Sequence, residues 1–145
     1  MKILRAIVAY VVAVLVATIG LSAVSTFTVL ANLKDMGYPA SAGDQVSTYI
    51  GDFIGLAPAA GGINAIGLAI ALVIAALVIR FLWNRRTFGY TLAGLVALTV
   101  EMAAMGQMFG GITPIAGART MGGLIAIGAV GALSGFIFAR LTERE

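Results

Sequence analysis

The amino-acid sequence predicts an all-α integral membrane protein, in which four transmembrane helices form an antiparallel bundle and a short amphipathic interfacial helix lies between helices 1 and 2. Three observations lead to this class. Of the 145 residues, 61% are hydrophobic and only 10% are charged, whereas a soluble domain is usually about one quarter charged. The mean hydropathy is +1.06. Four apolar segments are also long enough to cross a hydrocarbon core of about 30 Å, which takes roughly 20 helical residues.

These apolar segments place the four helices within a single membrane domain, residues 1–145. The first helix is predicted over about residues 5–33, the second over 63–83, the third over 88–109 and the fourth over 114–139. The first apolar run is longer than the core of a signal peptide, which favours an uncleaved helix. Only the segment WNRRTF separates the second helix from the third, so we expect these two helices to run antiparallel side by side.

The segment between the first two helices, residues 34–62, is too long for a simple turn. Ser41 is followed three residues later by Asp44, which resembles the capping box of a helix start. Apolar residues then recur at helical spacing. The pattern predicts an amphipathic helix over about residues 41–56, lying in the outer membrane interface. Such a helix either covers the mouth of the bundle or serves as a gate or docking surface.

The basic residues predict how the bundle is oriented. Lysine and arginine concentrate in cytoplasmic loops, and the segment after the first helix instead carries Lys34 beside three aspartates. The chain is therefore expected to lie in the cell (inner) membrane as a multi-pass protein with cytoplasmic N- and C-termini. The basic residues on that side are Lys2, Arg5, Arg80, Arg85, Arg86, Arg140 and Arg144.

Glu101 is the strongest single signal, because it interrupts an otherwise apolar helix. A charge inside the membrane is expensive and marks a functional-site hypothesis. Pro114 suits the first turn of the fourth helix, with Thr113 as its N-cap. On that start, Arg119 lies within about 4–5 Å of the depth of Glu101. We therefore predict an intramembrane Glu101–Arg119 pair, which competes with the alternative that Arg119 extends outward to the interface.

Polar residues on the first helix form a stripe in its outer half, to which one residue of the second helix and one of the third add. They are candidates for a polar lining of the bundle interior. The alternative is that these hydroxyls bond to their own backbone carbonyls. The lining candidates are Thr18, Ser22, Ser25, Asn32, Asn64 and Gln107.

Gly131 and Gly135 form a GxxxG pair in the fourth helix, and Gly128 continues the face. Small residues at this spacing let two membrane helices approach closely. The motif leaves open whether the partner helix belongs to the same chain or to a second copy in a homo-oligomer.

The absence of Cys and His from the sequence excludes disulfides, thiolate chemistry, haem ligation through His and most zinc sites. Met102, Met105 and Met108 are spaced for core filling rather than for copper ligation. No metal site, no cofactor and no catalytic constellation is predicted, and no basic patch points to nucleic acid.

Two functions are consistent with these features. The first is a non-enzymatic accessory or scaffold subunit, or a homo-oligomer, in which Gly-rich helix packing and the Glu101–Arg119 pair hold the bundle together. The second is a small transporter or channel for protons, cations or small solutes, with Glu101 as the titrating site. An enzyme acting on a lipid-like substrate ranks third, because the acid-base repertoire is thin. The expected partners are the lipid bilayer and either a second copy or a larger membrane complex.

Overall fold

The structure is a computed structural model that describes residues 2–81, 85–113 and 115–143. Regular structure in these residues is helical throughout. Its elements are α1 (Lys2–Asp35), α2 (Ala42–Phe81), α3 (Arg86–Met108), a 3-10 turn (Ala116–Arg119) and α4 (Met121–Thr142). Each of the four α-helices is long and apolar enough to cross a membrane. The expectation of a helical, multi-pass membrane protein is confirmed at this level.

Helix α2 differs from the sequence-based expectation. It runs without a break for 40 residues, with Pro58 inside it, so the amphipathic helix expected over 41–56 is the outer part of α2 and not a separate element. The prediction of a long connecting segment over residues 34–62 is also wrong, because only residues 36–41 separate α1 from α2. Packing explains the continuity, because Ala60 is buried and the Thr26 hydroxyl donates a 2.8 Å hydrogen bond to the Asp52 carboxylate.

Helix α4 begins later than expected. The predicted start at Pro114 lies outside the described residues, and α4 begins at Met121 with Thr120 as its N-cap; the Thr120 hydroxyl accepts a 3.0 Å hydrogen bond from the Gly123 N–H. The preceding 3-10 turn is held against α1, where a Cβ added at Gly117 would lie 3.0 Å from a methyl carbon of Val24. The 3-10 turn thus packs against α1 before α4 begins.

The four helices form a ring in chain order. Helix α1 contacts α2 and α4, and α3 contacts the same two helices. The centre of the ring is filled by large aliphatic side chains that are almost completely buried, namely Leu21, Leu68, Leu98 and Ile127.

Side-chain contacts join the helix ends that carry the basic residues. Arg5 Nε donates a 2.7 Å hydrogen bond to the Leu141 carbonyl, linking the start of α1 to the end of α4. Thr87 donates a 3.3 Å bond to Glu143, linking the start of α3 to the same place. The basic residues near these ends therefore share one end of the bundle; the predicted member Arg144 lies outside the described residues.

The glycine face of α4 packs against α3 of the same chain. A Cβ added at Gly131 would lie 2.9 Å from the carbonyl carbon of Gly94, and one added at Gly135 would lie 2.8 Å from the carbonyl carbon of Tyr90. A Cβ at Gly128 would lie 3.4 Å from the Thr99 hydroxyl. The sequence left open whether this glycine face packs against a helix of the same chain or against a second copy. The contacts described here are with α3 of the same chain.

Candidate binding site at Glu101

Glu101 lies on α3, seven residues before that helix ends at Met108, which is about 10 Å along the helix axis. Its exposed fraction is 9%, and both carboxyl oxygens lack a hydrogen-bond partner among the described residues. Buried polar atoms are nearly always hydrogen-bonded in folded proteins. A carboxyl group with two unpaired oxygens therefore requires an explanation other than packing.

The Glu101 carboxyl group is seated on Gly67 of α2. A Cβ added at Gly67 would overlap Oε1 of Glu101 and would lie 2.6 Å from its Cδ. The missing side chain of Gly67 thus creates the space that the carboxyl group occupies. Gly67 is as much a part of this site as Glu101.

Arg119 is not the partner of Glu101, so the predicted ion pair is wrong in this structure. Arg119 is exposed and its Nε donates a 2.9 Å hydrogen bond to the Thr113 carbonyl. The depth argument failed because Arg119 lies two residues before the first residue of α4, and not five residues inside that helix. The salt bridge that the described residues do contain, between Arg140 and Glu143 at 3.2 Å, is at the end of α4.

Glu101 also lies at one end of a long groove between α2 and α3, with a volume of about 460 Å³. Among the described residues that line it, Glu101 is the one with a polar side chain. The floor consists of small residues, Gly67, Ala71, Ala75, Gly89, Ala93 and Ala97. The walls consist of larger aliphatic residues, Ile70, Ile74 and Val78 on α2 and Leu92, Val96 and Val100 on α3.

The groove is closed at one end and open along its side. The Ile79 side chain covers Gly89, since a Cβ added at Gly89 would lie 2.7 Å from the Ile79 side chain. The wall residues Ile74 and Val96 are 55% and 46% exposed, so the groove faces outward from the bundle.

The predicted polar lining divides into two groups. Thr18, Ser22, Ser25 and Asn64 are buried, whereas Asn32 and Gln107 are exposed. Asn32 and Gln107 were therefore wrongly assigned to the interior. They lie near the outer ends of their helices, where neighbouring helices no longer enclose them.

Two of the buried members, Thr18 and Asn64, meet at the interface between α1 and α2. Asn64 donates a 3.3 Å hydrogen bond to the Thr18 hydroxyl, and Thr18 itself donates to the Val14 carbonyl at 2.9 Å. The backbone bonding expected as the alternative therefore occurs at Thr18. Asn64 Oδ1 and Ser25 Oγ are buried and have no hydrogen-bond partner among the residues that the structure describes.

Sequence reasoning missed the groove, although the sequence contains its pattern. Pairs of a large aliphatic residue followed by a small one recur every four residues, at Ile70-Ala71 and Ile74-Ala75 on α2. On α3 the pairs Leu92-Ala93 and Val96-Ala97 lead, four residues later, to Val100-Glu101. This period puts the small residues on one helical stripe, and Glu101 is the next member of that stripe.

The fold and this site define a small, multi-pass helical membrane protein with a groove that opens on the outside of the bundle and ends at a carboxyl group. No protein-family model, no curated protein and no solved structure matches the chain. The function must therefore be argued from the site itself.

Proposed function

We propose that this chain is a small, non-enzymatic transporter in which the Glu101 carboxyl group exchanges a proton for a cation. In this proposal the four spans are antiparallel and lie in the inner membrane with both termini in the cytoplasm. The shared basic end of the bundle supports that orientation, because basic residues favour the cytoplasmic side. The chemistry needs no cofactor and no catalytic residue.

The observation that carries the proposal is the unpaired, buried carboxyl group of Glu101. An ionised carboxylate without a partner in an apolar setting costs several kcal/mol. The neutral form is therefore favoured in this conformation, and ionisation requires a cation or water to reach the oxygens. If Glu101 instead held the bundle together through an ion pair, a cationic side chain would have to lie beside it. Arg119 hydrogen-bonds to the Thr113 carbonyl instead.

The polar residues between α1 and α2 supply a route for the proton from the outer side. The contacts that support such a route are the hydrogen bond between Thr26 and Asp52 and the hydrogen bond between Asn64 and Thr18, which lie about two helical turns apart along α1. Asn64 precedes Gly67 by three residues, about 4.5 Å along α2. The unpaired oxygens of Ser25 and Asn64 are the kind of groups that buried water satisfies.

Proton flux into proteoliposomes tests the role of Glu101. Vesicles hold a pH-sensitive dye, and proton flux is driven by an imposed gradient of the counter-cation, supplied in separate runs as potassium, sodium or an alkylammonium ion. Wild-type protein should show flux, Glu101→Gln should abolish it, and Glu101→Asp should retain part of it. The matched control is Glu143→Gln, which neutralises an exposed glutamate at the end of α4 and should leave the flux unchanged. A wild-type flux no greater than that of empty vesicles would sink the proposal.

The proton route has its own test. Asn64→Leu removes the polar groups while keeping the branching and the number of heavy atoms of the side chain, and we expect it to slow proton flux while the protein stays folded. Thr28→Val is a matched control, because Thr28 bonds to the Val24 carbonyl of its own helix and lies outside the route. Equal flux in Asn64→Leu and wild type would show that protons reach Glu101 by another path.

A second candidate function, an accessory subunit or homo-oligomer, is favoured by the outer part of α2. Val46, Ile50 and Ile54 are exposed there and lie four residues apart, on one face of the helix. An aspartate at Ile50 should then dissociate the assembly, as measured by the mass of the complex in detergent. An unchanged mass would remove this candidate.

A further inference from the structure

We propose that the groove between α2 and α3 binds a single-chain amphiphile with an ammonium head group. The head group lies at Glu101 and the alkyl chain lies along the floor of glycine and alanine residues. The inference rests on the proposed function, because it names the class of cation that replaces the proton on Glu101.

The shape of the groove selects a slender, apolar body. The groove extends from Gly67 to Ile79 along α2, which is about 18 Å for twelve helical residues. Its volume of about 460 Å³ lies in the usual range for small-molecule sites. The recessed floor between aliphatic walls fits an extended chain, and its open side admits that chain directly from the bilayer.

The chemistry at the end of the groove selects the head group. Both Glu101 oxygens are free of hydrogen bonds within the described residues, and an ammonium group offers up to three N–H donors on one positive charge. Such charge-assisted hydrogen bonds are about twice as strong as neutral ones. Binding of an ammonium ion to the protonated carboxyl group forms the ion pair and releases one proton.

Other occupants fit less well. An apolar transmembrane helix packed on the groove walls would leave both Glu101 oxygens without a hydrogen-bond donor. A phospholipid tail fits the walls, but its phosphate would bring a negative charge towards the carboxylate. A neutral chain leaves both Glu101 oxygens unpaired.

The test measures binding of dodecylammonium to the protein in nanodiscs by calorimetry, with empty nanodiscs as the blank and dodecanol as the neutral probe. Wild type should bind one equivalent above the blank and release a proton on binding. Since a charge-assisted contact is lost, Glu101→Gln should bind at least about tenfold more weakly. Dodecanol should bind wild type and Glu101→Gln equally weakly.

Two pairs of variants test the groove itself. Ala93→Leu fills the floor, and its control Ala76→Leu adds the same volume on the exposed side of α2. Ala104→Leu obstructs the end beside Glu101, and its control Ala103→Leu is the adjacent exposed alanine, which does not line the groove. We expect the two groove variants to lose binding and the two controls to bind as wild type does.

The alternative outcomes are distinct. Binding to wild type no stronger than to empty nanodiscs would overturn the proposal, as would equal binding by Glu101→Gln. Equal binding of dodecanol and dodecylammonium, lost in Ala93→Leu, would show a groove for lipid tails only and would also overturn it. Proton flux driven by gradients of potassium or sodium, with no amine present, separates the two proposals, because flux that depends on Glu101 under these conditions would support the exchange and would show that its cation is not the amphiphile.

Discussion

Replacing Gly67 by alanine tests the seat of the Glu101 carboxyl group most directly. The added carbon would lie 2.6 Å from Cδ and 3.1 Å from Cγ of Glu101, whereas carbon atoms in contact are about 3.5–4.0 Å apart. The Glu101 side chain must therefore move by about 1 Å or more. We expect proton flux in Gly67→Ala to fall towards that of Glu101→Gln.

The effect on the free energy of unfolding has two opposing terms. Alanine is more favourable than glycine in a helix by about 0.8–1.0 kcal/mol, and a forced rearrangement of packed side chains costs about 1–3 kcal/mol. In a Glu101→Ala background the obstacle is absent, so Gly67→Ala should stabilise the protein by about 1 kcal/mol. The coupling energy between the two sites is then about 1–3 kcal/mol, the cost of the rearrangement.

The assay is reversible unfolding of wild type, the two single variants and the double variant in mixed micelles. Gly62→Ala serves as the matched control on the same helix, because a Cβ there would meet nothing within 4 Å. Gly62→Ala should stabilise the wild-type protein and the Glu101→Ala protein by the same amount. A coupling energy between Gly67 and Glu101 below about 0.5 kcal/mol, the usual error of additivity, would refute the contact.

Three further predictions concern packing, charge and topology. Gly94→Ala should destabilise the protein by about 1–3 kcal/mol, because the new Cβ would lie 2.9 Å from a backbone nitrogen of α4, whereas Gly122→Ala meets open space and should not. Arg119→Ala should change the free energy of unfolding by less than about 0.5 kcal/mol, because its side chain is exposed. Since the chain has no cysteine, a single cysteine at Val46 should react with a membrane-impermeant maleimide on intact cells, and one at Ile74 should not.

A specific result would contradict each of these three predictions. Equal stabilities of Gly94→Ala and Gly122→Ala would mean that α3 and α4 are further apart than the structure shows. A loss in Arg119→Ala that depends on the presence of Glu101 would restore the ion pair. Labelling at Val46 only after the cells are opened would reverse the proposed orientation.

The membrane spans were predictable because apolar length alone decides them. The third helix was predicted over residues 88–109 and is observed as Arg86–Met108, since charged and turn residues bound an apolar run on both sides. The break expected between residues 56 and 63 is absent. Pro58 and the nearby glycines suggest an end when read locally, but contacts of α2 with α1 override that preference.

The pairing of Glu101 with Arg119 failed for a related reason. Its depth estimate assumed that α4 begins at the first residues with helix-start character. The observed start at Met121 has Thr120 as its N-cap, and the 3-10 turn before it packs against α1, a contact between residues far apart in the chain. The seat at Gly67 likewise requires knowing which faces of α2 and α3 meet. By contrast, the four-residue period of small residues that forms the floor was readable in the sequence.

The surroundings of the Glu101 carboxyl group distinguish a transporter from a structural subunit better than the presence of a glutamate in a membrane helix does. A carboxyl group that stabilised the bundle would be paired, because an unpaired one lowers stability and an apolar side chain of similar size would pack at less cost. Within the described part of the chain Glu101 is instead unpaired, rests in a space made by Gly67 and lies at the end of a groove that opens on the outside of the bundle. Folded proteins keep such unsatisfied polar groups where a ligand or a proton completes them. On this physical ground the site favours an exchangeable cation over a fixed partner.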